Sequence, residues 1–117
     1  MSQGSISIRP RPVNAHLTML DIEGELTGGG EAALMEAYTS ASANGVDAIG
    51  LNFNDLEYMN SSSIGLLVTL LIRVQRNKQT LLAVSLNDHY QQIFELTRLN
   101  EAILSYPTVS EALDALK

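Results

Sequence analysis

The hydrophobic and polar positions of this chain fall into short blocks whose period switches between two and about 3.6 residues. Ser5 to Arg9 reads Ser-Ile-Ser-Ile-Arg, the alternation of a half-buried strand, with Pro10 and Pro12 as its punctuation. His16 to Ile22 reads as a second strand, and the turn between the two predicts antiparallel pairing. Glu23-Gly24-Glu25-Leu26-Thr27 leaves that strand for a Gly28-Gly29-Gly30 turn. Ala33, Leu34, Ala37 and Tyr38 then recur at helical spacing, predicting a helix over Glu31 to Ala43 closed by Asn44-Gly45.

Ala48 to Phe53 is a short buried strand. Ser61 to Arg76 predicts a strongly apolar helix, with Ile64, Leu67, Val68, Leu71 and Ile72 along one face and Leu66 and Leu70 widening it. Arg73, Arg76 and Lys78 complement the negative end of its dipole. Thr80 to Leu86 is another strand. Asp88 is placed to cap the next helix, which runs to about Leu99, with Gln91 as its capping-box partner. Ile103-Leu104 reads as a short edge strand, and Thr108 caps a last helix with Glu111 as box partner. Alternating strands and helices imply crossovers of one hand and a largely parallel sheet, with the opening pair antiparallel. The expectation is one α/β domain over residues 1–117, a small mixed sheet with about four helices packed against it.

Composition narrows the function classes. Hydrophobic residues make up 45% of the 117 positions and aromatics only 5%, so the core must be built from Leu, Ile, Val, Met and Ala. The chain has no cysteine, which removes disulfide frameworks, thiolate metal sites and cysteine nucleophiles together. A formal net charge of −6, with seven scattered basic residues, offers no basic stripe for nucleic acid. The N-terminus lacks the layout of a signal peptide. The longest apolar run, Ile64 to Ile72, is too short to span a bilayer. The expectation is a soluble cytoplasmic domain with no direct membrane insertion.

The most informative stretch runs from Asp55 to Val68, where a buried strand hands over to the apolar helix. Tyr58-Met59-Asn60-Ser61-Ser62-Ser63-Ile64-Gly65 sets hydroxyls at the positive end of a helix dipole. Asn60, Ser61 and Ser62 are all ordinary N-cap residues, any of which can accept from an orphaned backbone N–H. The same stretch resembles the phosphorylation loop of STAS domains, the anti-sigma-factor antagonist family, and Glu23-Gly24-Glu25-Leu26-Thr27 is similar to the turn that follows that family's second strand. The resemblance runs nearly end to end and implies the α/β layout above.

It also implies Ser62 as phospho-acceptor, with Ser61 and Ser63 as alternatives. Asp55, Glu57, Tyr58, Met59, Asn60, Ser61, Ser63 and Ile64 would then meet a protein partner, an anti-sigma serine kinase, with a phosphatase resetting the cycle. ATP would belong to the kinase. Three positions depart from the family pattern: Thr27 and Asn60 stand where an acidic residue is usual, and Ser63 where glycine is usual. STAS domains also serve as accessory subunits of ABC-type lipid transporters without being phosphorylated, which is the alternative the resemblance carries.

Other candidates are weaker. The Gly28-Gly29-Gly30 run lacks the Lys-Ser/Thr of a phosphate-binding loop and reads as a flexible turn. Asp55 and Glu57 could serve as general acid and base, but a solvated rim that shapes partner choice is the better reading. His16 and His89, the two histidines, fall on different elements and support neither a metal site nor a Ser-His-Asp triad. Gly65 reads as permitting close helix packing. The expectation is a regulator, not an enzyme, with no cofactor and no metal.

Overall fold

The computed structural model describes residues 6–43 and 45–116. Ser5 and Asn44, assigned above to a strand and a helix end, lie outside them. Five strands, β1 (Ile6–Pro12), β2 (Leu17–Leu26), β3 (Ala48–Met59), β4 (Thr80–Val84) and β5 (Leu104–Tyr106), form one sheet in sequential order. β1 pairs antiparallel with β2, and every other neighbour is parallel. Sequential parallel strands joined by crossovers of one hand must carry their helices on one side. Accordingly α1 (Glu31–Ser42), α2 (Ser61–Arg76) and α3 (Asp88–Leu96) share one apolar core with Leu20, Ile49, Leu51 and Ala83. The short α4 (Val109–Ala115) covers the opposite face, where Ala112 packs on Leu17, Met19, Ala48, Leu82 and Val84.

Several elements differ from the reading of the sequence, each for a physical reason. β1 runs through both prolines, with Pro10 opposite Leu20 and Pro12 opposite Thr18. An edge strand tolerates proline because one side of it needs no ladder donor. β2 and β3 continue to Leu26 and Met59, well beyond Ile22 and Phe53. Register shifts between Asp21 and Glu23 and between Gly24 and Glu25 break the alternation, and Gly24 sits at φ +101°. The outer halves of these strands are therefore polar and irregular, yet still paired.

α2 begins at Ser61 and ends at Arg76, as its pattern predicts, but its buried stripe is rotated. Leu66, Leu67, Leu70, Leu71 and Val74 face the core, whereas Val68 is 38% exposed and Ile72 49% exposed. The helix carries two overlapping apolar stripes, and the sheet takes the leucine one. At α3 the cap is Asn87, whose Oδ1 accepts from Tyr90 N–H at 2.9 Å; Asp88 is the first helical residue. Gln91 donates instead to the Leu86 carbonyl at 2.9 Å, and residues Leu99–Glu101 form a separate 3-10 turn. The edge strand lies at Leu104–Tyr106 and Thr108 Oγ1 accepts from Glu111 N–H at 3.1 Å, close to expectation.

On the sheet face that α4 leaves open, Arg11 holds Asp21 in a two-point pair at 2.6 and 3.1 Å, and Asn52 Nδ2 donates to the same carboxylate at 2.9 Å. The hydrogen bond from Arg11 lowers the Asp21 pKa below the ordinary carboxylate range, against a smaller desolvation effect. A depressed folded-state pKa contributes stability above the unfolded value of about 3.9. That contribution disappears as pH falls through the folded value. The pair is partly exposed, so the contribution is under about 1 kcal/mol. Asp21→Asn should therefore lower the urea midpoint slightly at pH 7, by a difference that shrinks as pH falls below about 3.9, measured by denaturant titration across that range.

Candidate functional site

The outer ends of β2 and β3 carry the hand-over into α2. Asp55 and Leu56 pair with Glu23 and Gly24, Tyr58 with Glu25, and Met59 with Leu26. The last rung is Asn60 N–H donating to the Leu26 carbonyl at 3.4 Å. From the other side, Met59 N–H donates to Tyr90 Oη at 3.0 Å, a buried bond that ties the strand end to α3. Met59 itself is 5% exposed and belongs to the core. Two neighbouring elements thus fix the backbone immediately before the serines.

Asn60 is the cap. Its backbone is extended, with φ −105° and ψ −177°, and its Oδ1 accepts from Ser63 N–H at 3.2 Å. The Asn60 carbonyl also accepts from Ser63 N–H at 3.0 Å and from the Ser63 hydroxyl. Ser63 is fully buried, and its hydroxyl is committed to that carbonyl. Ser61 and Ser62 occupy the first two helical positions with their side chains exposed. Of three candidate hydroxyls, two face solvent beside the positive end of the α2 dipole. An aspartate at position 60 could cap in the same way, so Asn60 keeps the local geometry while removing a carboxylate from beside the serines.

The other singled-out residues separate by exposure. Asp55, Glu57 and Tyr58 are exposed, Asn60 is half-buried, and Ile64 is half-buried against the core. Met59 and Ser63 are corrected from surface contacts to interior residues, because strand alternation and the helix register turn them inward. Gly65 is likewise not a packing glycine: a Cβ there would meet nothing within 4 Å. His16 pairs with Asp47 at 2.7 Å on the surface, and His89 lies against the Tyr90 ring at 5.1 Å. Among the described residues, no three His, Cys, Asp or Glu side chains converge as metal ligands. None of their helices is long and apolar enough to cross a membrane.

Two contributors escaped the sequence reading. Tyr90 gave no signal, because nothing local to α3 marks a hydroxyl aimed at another element's backbone. The glycine run was visible, but not that its 3-10 turn at Gly28–Gly30 lies against Ser62. Removing the Tyr90 hydroxyl leaves the buried Met59 N–H without its partner, a loss of about 1–3 kcal/mol. Tyr90→Phe should lower stability by that amount, and Asn60→Ala by about 1 kcal/mol through the lost cap. Equilibrium urea unfolding of both variants checks this.

The family model for the STAS domain matches residues 9–112. A Thermotoga maritima protein named "Putative anti-sigma factor antagonist" is 29% identical over 73 residues, which are 62% of this chain and 65% of that protein. The match thus spans just under two thirds of that relative's length. An anti-sigma factor antagonist structure from Mycobacterium paratuberculosis superposes with a TM-score of 0.79 at 20% identity, over 95% of this chain and 93% of that one. The Bacillus cell fate determinant SpoIIAA in its phosphorylated form superposes with a TM-score of 0.72 at 20% identity, over 95% and 100% of the two chains. The unphosphorylated form of SpoIIAA gives 0.72 at 19% identity, over 94% and 97%. At such identities the structural likenesses speak for the fold alone. The match of the family model over most of the sequence places this chain in the STAS domain family.

Proposed function

We propose that this chain is a partner-switching regulator of the anti-sigma-factor-antagonist type, with Ser62 as phospho-acceptor. The observation that carries the reading is the sorting of the three serine hydroxyls. Ser63 is buried and bonded, while Ser61 and Ser62 stand exposed on a backbone already fixed by Asn60, Leu26 and Tyr90. The unphosphorylated surface binds an anti-sigma serine kinase through Asp55, Glu57, Tyr58, Asn60, Ser61 and the exposed side of Ile64. The kinase transfers phosphate from its own ATP and the complex dissociates, and a phosphatase resets the cycle. The chain itself carries no catalysis and acts in the cytoplasm. Existence of SpoIIAA, a protein of this fold, in both phosphorylated and unphosphorylated forms supports the reading.

Magnitudes decide how the switch works. Phosphorylation adds about −1.5 to −2 charges at neutral pH. At the first turn of α2 that charge meets the positive end of the dipole, which stabilises the fold by about 0.3–1 kcal/mol per charge. At an interface, the same charge set against an acidic or apolar patch costs several kcal/mol. The interface effect dominates, so affinity changes while the fold does not.

Ser62→Asp should therefore melt within a few degrees of wild type yet lose its partner. Both proteins serve as baits in native-host lysate, with captured proteins identified by mass spectrometry. The expected result is a serine kinase held by wild type and lost by Ser62→Asp. A transporter ATPase held equally by both would overturn the switch and favour an accessory-subunit role.

A further inference from the structure

The three glycines between β2 and α1 do not share one explanation. Backbone conformation requires none of them, because the described glycines at positive φ are Gly24 and Gly45. Gly30 is buried, and a Cβ there would lie 3.2 Å from Leu26 Cδ1, so packing accounts for it. A Cβ on Gly29 would meet only Thr27 Oγ1, at 3.8 Å. Gly28 is exposed, and its Cβ would lie 3.3 Å from Ser62 Cβ and 3.7 Å from Ser62 Oγ. No positive φ calls for glycine at position 28, but there, unlike at Gly29, an added Cβ would crowd a neighbouring element. The residue it would crowd is Ser62, with the Cβ nearest and the hydroxyl within contact distance.

We propose that Gly28 is a specificity-determining residue of the serine site, leaving open the side from which a phosphoryl donor reaches Ser62. This rests on Ser62 being the acceptor. In the transfer, Ser62 Oγ forms a bond to the γ-phosphorus of the kinase's ATP as the bond to the bridging oxygen of ADP breaks. The hydroxyl proton passes to a base of the kinase. Attack needs the reacting atoms about 3–3.5 Å apart and aligned. A side chain at position 28 would begin 3.7 Å from Oγ and occupy one flank of that approach. The transferred phosphoryl group, being bulkier than the hydroxyl, needs the same room.

The position lends itself to a clean test, since its φ does not forbid a side chain. Wild type, Gly28→Ala, Gly28→Val and Gly29→Val are incubated with native-host lysate and γ-labelled ATP. Label on Ser61 and Ser62 is followed by phosphopeptide mass spectrometry, and thermal melts establish that each variant is folded. The expected result is a graded loss at Ser62, partial for Gly28→Ala and about tenfold for Gly28→Val. Gly29→Val should match wild type, and label on Ser61 should not fall in parallel with Ser62. Label on wild-type Ser62 that Gly28→Val does not slow, or that Gly29→Val slows equally, overturns the role of Gly28 and leaves the acceptor standing. Absence of label from wild-type Ser62 overturns the acceptor and this proposal together.

Discussion

The arrangement around the serines depends on one small constraint, the cap that Asn60 places on α2. Its side chain and its carbonyl both serve Ser63, which pulls that residue inward and sets the phase of the helix. Ser61 and Ser62 then follow the cap at the first two positions and have nowhere to point but outward. The cap can act this way because Asn60 itself is held. Leu26 accepts its N–H, and Tyr90 holds the N–H of the residue before it. A strand end, a helix start and a side chain from a third element therefore meet within two residues. A site built like this is organised before any partner arrives, and needs little ordering on binding.

The same geometry separates the buried core from the exposed serine turn. The leucine stripe of α2 supplies the burial, and the serines lie at the helix end, outside it. Charge added at the exposed turn acts on whatever approaches from solvent rather than on the core. The best-defined ion pair lies elsewhere: Arg11 and Asp21 sit on the sheet face opposite the three long helices, with Asn52 beside them. Fold stability and the chemistry of the exposed turn can thus vary independently.

Much of this was legible in the sequence. The order of elements, the antiparallel opening pair, the limits of α2 and the Thr108 cap followed from periodicity and capping chemistry. The serine stretch stood out because hydroxyls crowd the start of an apolar helix. What was not legible is instructive. The outer halves of β2 and β3 were missed because register shifts scramble the alternation that marks a strand, while backbone pairing continues regardless. The face of α2 was misjudged because Ile64, Val68 and Ile72 form a stripe as apolar as the leucines, and only the sheet decides between them. The contributions of Tyr90 and Gly28 belong to contacts across 31 and 34 residues of chain, which no local pattern encodes.

The central claim is that a phosphate at Ser62 changes the surface and leaves the fold alone. The most direct measurement is a comparison of backbone amide NMR spectra of the unmodified protein and of protein carrying phosphoserine installed at position 62 during synthesis. The account predicts shifts confined to the start of α2, the Gly28–Gly30 turn and the end of β3, with the rest of the spectrum superimposable. Shifts spread through β4, α3 and α4, or lost dispersion, would mean that phosphorylation reorganises the domain and would contradict it.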